Sequence, residues 1–242
     1  MRKILIFAYV GIFFLISLPL LLVLLTVGLF HKALQKKWTF YIAKYVCRSI
    51  LFFLGAKVFV KGSELVPENG SLLFTGNHRS LLDIVLTLAH SPRPIAFIAK
   101  DSLAKVPVLS WWMSSLGCLF LDRESARNAL ATILTGIENM KQGQCYIIFP
   151  EGTRNTENQE LLPFKKGSLK LAEKSNSLIV PFALRGTDDM FEQNNYQVKP
   201  GNLYLSFGES IDLKALTAEE MKANNEYVQN RVKILFDETL EA

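Results

Sequence analysis

The sequence predicts an α/β protein, a mixed and largely buried sheet flanked by helices, with a membrane-inserted helical segment at its amino terminus. Three observations predict it. From residue 57 onward, short apolar runs of strand length alternate with stretches of helical spacing, the pattern of a sheet covered on both faces. Residues 4–30 carry no charge. At residues 71–90 an apolar strand, a polar loop and an apolar-periodic helix follow one another. The chain therefore divides into membrane-associated helices over residues 1–56, hydrophobic at 4–30 and amphipathic at 38–54, and an α/β domain over residues 57–242.

As one helix the charge-free run is about 40 Å long, against a hydrocarbon core of about 30 Å. It exceeds a signal-peptide core of about 7–15 residues, and no small-residue cleavage site follows it. Both flanks are basic, with Arg2 and Lys3 before and Lys32, Lys36 and Lys37 after. A single span leaves one of these clusters on the wrong side of the bilayer. Pro19, near the middle, kinks the run. A re-entrant hairpin with both ends on the cytoplasmic face meets both observations, and a tilted single span is the alternative. Residues 38–54 are rich in aromatic and aliphatic side chains, with Lys44 and Arg48 four apart on one helical face. They read as an amphipathic helix on one leaflet, with a core helix of the domain as the alternative. Gly55 ends the helix.

Residues 57–62 alternate as a short strand, and residues 66–70 turn. Residues 71–75 form a buried strand that Gly76 and Asn77 break, and Leu81, Leu82, Ile84, Val85 and Leu88 then recur at helical spacing to about Ala89. The strand at 95–99 delivers Lys100, with Lys105 shortly after. Residues 107–116 are apolar and contain Trp, suited to core, lipid or an acyl pocket. A strand at 117–121 ends in Asp122-Arg123, a helix follows at 126–141, and a strand at 145–149 gives way to Pro150-Glu151-Gly152-Thr153-Arg154. A helix at 165–174, strands at 178–184 and 203–207, and an amphipathic helix at 218–240 complete the domain.

His78 thus lies on a strand-to-helix loop, a common place for chemistry on a rigid scaffold. Asp83 stands five residues on. Along one helix that spacing is a rotation of about 500°, roughly 140° out of register. The two side chains meet only if His78 sits in the loop and folds back over the first helical turn. An imidazole held by a carboxylate is the arrangement of a general base. Ser80-Leu81-Leu82-Asp83 also fits a capping box, with Ser80 as N-cap, so this stretch alone leaves Asp83 either a cap or a catalytic partner.

Lys100, Arg123 and Arg154, like His78, each follow an apolar strand within a few residues. In an open α/β sheet, ligands bind at the carboxyl ends of the strands. Cations gathered there suit an anion, and the planar guanidinium suits phosphate best. Gly152 permits close backbone approach in a turn whose amides can bind anions. Glu151 to Arg154 alone also fits an ordinary tight turn with those two residues paired across it.

The formal net charge of +5 suits an anionic partner. Nucleic acid is disfavoured, because the basic residues are dispersed and no nucleic-acid module appears. Cys47, Cys118 and Cys145 are odd in number and far apart, so a disulfide framework is not expected. His31, His78 and His90 have no cysteine or histidine partner at metal-ligand spacing, so no metal is expected.

Asn77-His78 with Asp83, Gly117-x-x-Phe120-x-x-Arg123, Phe149-Pro150-Glu151-Gly152-Thr153-Arg154 and Ile179-Val180-Pro181 occur in that order. The set resembles the four blocks of the glycerolipid acyltransferases, particularly the 1-acylglycerol-3-phosphate (lysophosphatidic acid) acyltransferases, over about residues 57 to 210. The amino-terminal helices look like those of bacterial members. The resemblance implies an enzyme that moves a fatty acyl group from acyl-CoA or acyl-carrier protein to the free glycerol hydroxyl, giving phosphatidic acid without a cofactor. It implies His78 as general base, oriented by Asp83. Arg154, Arg123 and Lys100, with Lys105, would hold the acceptor's phosphate. Glu151, Gly152 and Thr153 would shape the turn around it, and Val180 and Pro181 would form the acyl-donor side. It implies a bacterial inner-membrane protein with its catalytic domain on the cytoplasmic side and membrane lipid around it. Alternatives are an acyltransferase for another lyso-lipid and a membrane lipid-binding protein without catalysis; the intact His78/Asp83 pair argues against the latter. No Gly-x-Ser-x-Gly nucleophile elbow is present.

Overall fold

The computed structural model of the chain describes residues 2–157 and 160–239. Three successive helices, α1 (Arg2–Ile16), α2 (Leu18–Phe30) and α3 (Lys32–Leu54), precede the first strand. The break between α1 and α2 falls at Ser17 and bends the pair by 53°. Pro19 lies in the first turn of α2, where its missing N–H costs least and where it cannot continue the preceding helix. At 15 and 13 residues the two helices are about 20 Å long each, so no single described helix is long and apolar enough to cross a membrane.

The α/β part runs β1 (Ala56–Lys61), β2 (Leu72–Gly76), α4 (Leu82–His90), β3 (Ala96–Lys100), α5 (Leu109–Leu116), β4 (Leu119–Leu121) and α6 (Ala126–Lys141). It continues through β5 (Tyr146–Ile148), α7 (Lys170–Ser175), β6 (Leu178–Arg185), α8 (Thr187–Met190), β7 (Gly201–Phe207), α9 (Ala218–Lys222) and α10 (Asn224–Glu238). The seven strands form one sheet in the order β1-β7-β6-β2-β5-β3-β4. All neighbours are parallel except β6 and β7, which makes the sheet mixed. The carboxyl ends of β2, β3, β4, β5 and β6 therefore share one edge of the sheet.

The expected elements are present with two local differences. The helix at 165–174 shortens to α7, because residues 165–169 turn instead. The helix at 218–240 divides at Ala223 into α9 and α10, and its last expected residue, Leu240, lies outside the described residues. Thr217 and Glu220 form a capping box at the start of α9.

α3 begins earlier than residue 38 and is built into the core. Its Phe40, Cys47, Leu51 and Leu54 share one apolar cluster with β2, β6, β7 and α10. Its opposite face, with Trp38, Tyr41, Tyr45, Phe52 and Phe53, is exposed. Lys44 and Arg48 point at the domain: Lys44 Nζ donates to the Ser91 carbonyl (2.7 Å) and Arg48 Nε to the Ala89 carbonyl (3.0 Å), satisfying the carboxyl end of α4. Trp112 of α5 is buried with Leu21 and Leu24 of α2 and donates to Ser17 Oγ at 3.2 Å, which fixes the α1–α2 break. Trp111 is exposed.

The same contact at α4 has a pH consequence. Burial, with Arg48 and then Lys44 nearby, pushes the His90 imidazole from 6.5 down to about 4. Between those values the unfolded chain binds a proton that the folded chain refuses, so stability falls as pH drops through that window. Thermal melts at pH 7 and pH 5 should show a smaller acid loss in His90→Gln than in the wild type. An equal loss in both would remove His90 from the explanation.

Candidate active site

His78 leaves the end of β2 on a loop that is tied down at every residue. The Asn77 side chain continues the sheet, its Nδ2 donating to the Leu184 carbonyl (2.9 Å) and its Oδ1 accepting from Leu184 N–H (2.8 Å). His78 N–H donates to Glu151 Oε1 at 2.8 Å, and its carbonyl accepts from Asn155 N–H at 2.8 Å. The imidazole stacks on Phe149, at the end of β5, with ring centroids 4.1 Å apart and planes 15° from parallel. Nδ1 lies 2.8 Å from Asp83 Oδ2. The fold-back required by the five-residue spacing is thus the observed one.

Asp83 is fully buried. Its Oδ2 also accepts from Arg79 N–H (2.6 Å) and Ser80 N–H (2.8 Å), and its Oδ1 from Thr187 Oγ (2.6 Å). Four donors offset the desolvation of the carboxylate. The two roles left open for Asp83 are not exclusive, because Oδ2 both holds the imidazole and satisfies the amide of Ser80. The capping box is only half formed: Ser80 Oγ accepts from Leu82 N–H at 3.0 Å, and α4 starts one residue later than expected. An ionised Asp83 assigns the ring proton to Nδ1, so Nε2, on the far side of the ring, carries the lone pair. That nitrogen can take a proton from a bound hydroxyl.

The turn after β5 differs from the simple pairing. Glu151 is buried and does not reach Arg154: its oxygens accept from His78 N–H and, at 3.0 Å, from Leu162 N–H. Burial pushes the Glu151 carboxyl up from its ordinary value, against these two hydrogen bonds. Gly152 has φ +71°, which favours glycine. Its carbonyl accepts from Arg123 Nη1, so the cation after β4 does reach this turn. Thr153 and Arg154 are exposed, and Arg154 Nη1 lies 3.2 Å from Glu192 Oε1.

Lys100 and Lys105 are exposed at the same sheet edge, Lys100 in register with Leu121 two residues before Arg123. Neither makes a hydrogen bond or close ion pair among the described residues. Val180 and Pro181 are buried within β6, where Pro181 pairs with Thr75 of β2. Among the described residues no group of three or more His, Cys, Asp and Glu is placed to hold a metal ion.

Four side chains at this site escaped the sequence reading. Lys165 lies across Gly152, its Cε and Nζ within 3 Å of where a Cβ would stand, and adds a cation to the turn. Thr187, Asp188 and Glu192 follow β6 and brace the His78 loop from the other side. Asp188 Oδ2 accepts from Arg79 Nε and Nη2, both at 2.9 Å, in a buried ion pair. Thr187 and Asp188 follow a strand end as the cations do, a signal that a search for acidic and hydroxyl groups there would have caught. Glu192 has no local signal.

The acyltransferase family profile matches residues 57–185, which contain all four blocks. A 1-acyl-sn-glycerol-3-phosphate acyltransferase of Borreliella burgdorferi is 30% identical over 182 residues, covering 75% of this chain and 72% of its own. One from Saccharomyces cerevisiae is 32% identical over 181 residues, covering 74% of this chain and 59% of its own. The crystal structure of the 1-acyl-sn-glycerophosphate (LPA) acyltransferase PlsC from Thermotoga maritima superposes with a TM-score of 0.80 at 29% identity, covering 100% of this chain and 98% of that one. The profile covers more than half of the sequence and the relatives most of it, and on these grounds the chain belongs to the acyltransferase family.

Proposed function

We propose that the protein transfers a fatty acyl group from a thioester donor, acyl-CoA or acyl-carrier protein, to the free hydroxyl of 1-acylglycerol-3-phosphate, giving phosphatidic acid. The observation that carries this reading is the 2.8 Å contact between His78 Nδ1 and Asp83 Oδ2 at the sheet edge that also gathers Arg123, Arg154 and Lys165. The acceptor's hydroxyl proton passes to His78 Nε2 as its oxygen attacks the thioester carbonyl. The C–S bond breaks, and the leaving thiolate takes the proton back from the imidazolium. No acyl-enzyme is required. Asp83 and the Phe149 face stabilise the imidazolium while it lasts.

The arginines and lysines hold the phosphate. Arg154→Ala should raise the KM for the phosphorylated acceptor by roughly tenfold or more and lower kcat less, since a charge-assisted bidentate contact contributes on the order of 1.5–3 kcal/mol. An unchanged KM would take the phosphate away from Arg154.

Residues of α1 to α3 seat the protein on a bilayer, the cytoplasmic face of a bacterial inner membrane. The support is the exposure of Ile4, Phe7, Leu29, Phe30 and Phe52, an apolar surface that water disfavours. An apolar groove between α1 and α3, lined by Tyr9, Phe13, Tyr41, Ile42, Tyr45 and Val46, opens on the same side of the chain. The deciding experiment assays purified protein with lysophosphatidic acid against other lysophospholipids, with both CoA and carrier-protein donors. Preference for the phosphate monoester supports the proposal, and preference for a choline or ethanolamine lyso-lipid replaces it.

A further inference from the structure

We infer that Glu192 is a positioning residue, which holds the phosphate-gripping Arg154 and the His78 loop on one carboxylate and so sets the distance between the acceptor's phosphate and the base. The inference rests on the reading of Arg154 just given. Glu192 lies in a 3-10 turn (Glu192–Asn194), outside the four sequence blocks and well away from His78 along the chain. Its side chain is only 2% exposed, and both oxygens are used. Oε2 accepts from Ser80 Oγ at 2.5 Å, and Oε1 accepts from Leu81 N–H at 2.9 Å and from Arg154 Nη1 at 3.2 Å. The first two contacts grip the entry to α4, which carries Asp83. The third grips a side chain that is otherwise 39% exposed.

The chemistry favours positioning over neutralisation. Arg123 and Lys165 remain to supply positive charge, so one carboxylate does not cancel the cluster. A free arginine carries about 2 kcal/mol of rotamer entropy, which its ligand must overcome. Anchoring Nη1 removes part of that cost in advance and leaves the Nη2 and Nε edge for two phosphate oxygens. In 1-acylglycerol-3-phosphate the reacting hydroxyl is on the carbon next to the one that bears the phosphate ester. A fixed separation between Arg154 and His78 Nε2 suits that short spacing, where a displacement of about 1 Å can cost on the order of a hundredfold in rate.

The fold delivers Glu192 to this place. Gly186 ends β6 with φ +84°, and a Cβ there would stand 2.2 Å from the Asn202 carbonyl oxygen. The chain therefore turns sharply at the sheet edge. Thr187 reaches Asp83, Asp188 reaches Arg79, and the next turn brings Glu192 over Ser80.

The test is a double-mutant cycle on kcat/KM for lysophosphatidic acid, with thermal melts of every variant. Glu192→Gln keeps the size but faces Arg154 with a neutral amide. It should raise the acceptor's KM by roughly tenfold in the wild-type background and by less than about twofold in the Arg154→Ala background, because it acts through that arginine. Glu192→Asp, which keeps the charge but cannot span both partners, should fall between, and it serves if Glu192→Gln does not fold. Additive effects in the double variant, or a lowered melting temperature with unchanged KM, overturn the inference. Arg154→Ala with unchanged KM overturns the phosphate reading beneath it, so the two failures are distinguishable.

Discussion

His78→Ala should lower kcat by roughly 10²–10⁴-fold while leaving the fold and the melting temperature nearly intact. The ring is partly open at the sheet edge, and it stacks on Phe149 without filling the core. What holds the loop is main chain: His78 N–H on Glu151, His78 carbonyl on Asn155, and Asn77 on β6. None of these contacts uses the imidazole. Deleting the ring therefore removes the proton acceptor and leaves the loop in place. The measurement is product formation by purified variant and wild type, with and without lyso-lipid acceptor, beside a thermal melt. Substantial retained transfer would sink the general-base mechanism. Thioester loss that ignores the acceptor in the wild type would recast the protein as a hydrolase.

Asp83→Asn should also cost roughly 10²–10⁴-fold in kcat, but with a modest loss of stability. Asparagine can place its oxygen where Oδ2 stands and keep the Arg79 and Ser80 amides satisfied. Its NH₂ then faces Thr187, whose hydroxyl can reverse and accept. The geometry survives and the charge does not, so the imidazolium loses its partner. Asp83→Ala is different: it strands the donors that converge on Asp83 in a buried site, at about 1–3 kcal/mol each, and should be strongly destabilised. Near wild-type turnover in Asp83→Asn would return this residue to a purely structural role.

The parts of the site that were legible are local in sequence or fall at strand ends. His78 and Asp83 lie on one loop and one helical turn, so spacing alone dictates how they meet. Lys100, Arg123 and Arg154 each follow a strand, and the parallel order of β2, β5, β3 and β4 brings those ends to one edge. The bracing side was not legible, because its partners are joined by folding across more than a hundred residues. Thr187 and Asp83 are 104 residues apart, and Glu192 and Ser80 are 112. Glu151 and Arg154 looked like partners because they are close in sequence, yet each has a more distant one. For the fold, periodicity found the strands and missed the antiparallel turn of β7 against β6, since strand direction leaves no mark on an apolar run. The amphipathic pattern of α3 described a helix with one wet and one dry face. It left open whether lipid or protein covers the dry face, and the structure buries that stripe in the core.

The three cysteines acquire a further use from their burial. Cys47, in α3, Cys118, just before β4, and Cys145, just before β5, are all buried and free. Burial alone pushes the Cys47 thiol up to about 12 and is the leading cause of the same shift at Cys118, and it raises Cys145 too. The thiolate is the reactive form, so the native protein offers almost none to an alkylating reagent at neutral pH, nor to the thiol that the proposed reaction releases. Each cysteine therefore becomes labelled at the rate at which its own surroundings open. Three unmodified native residues thus act as clocks for the breathing of the helical layer and of two adjoining regions of the sheet.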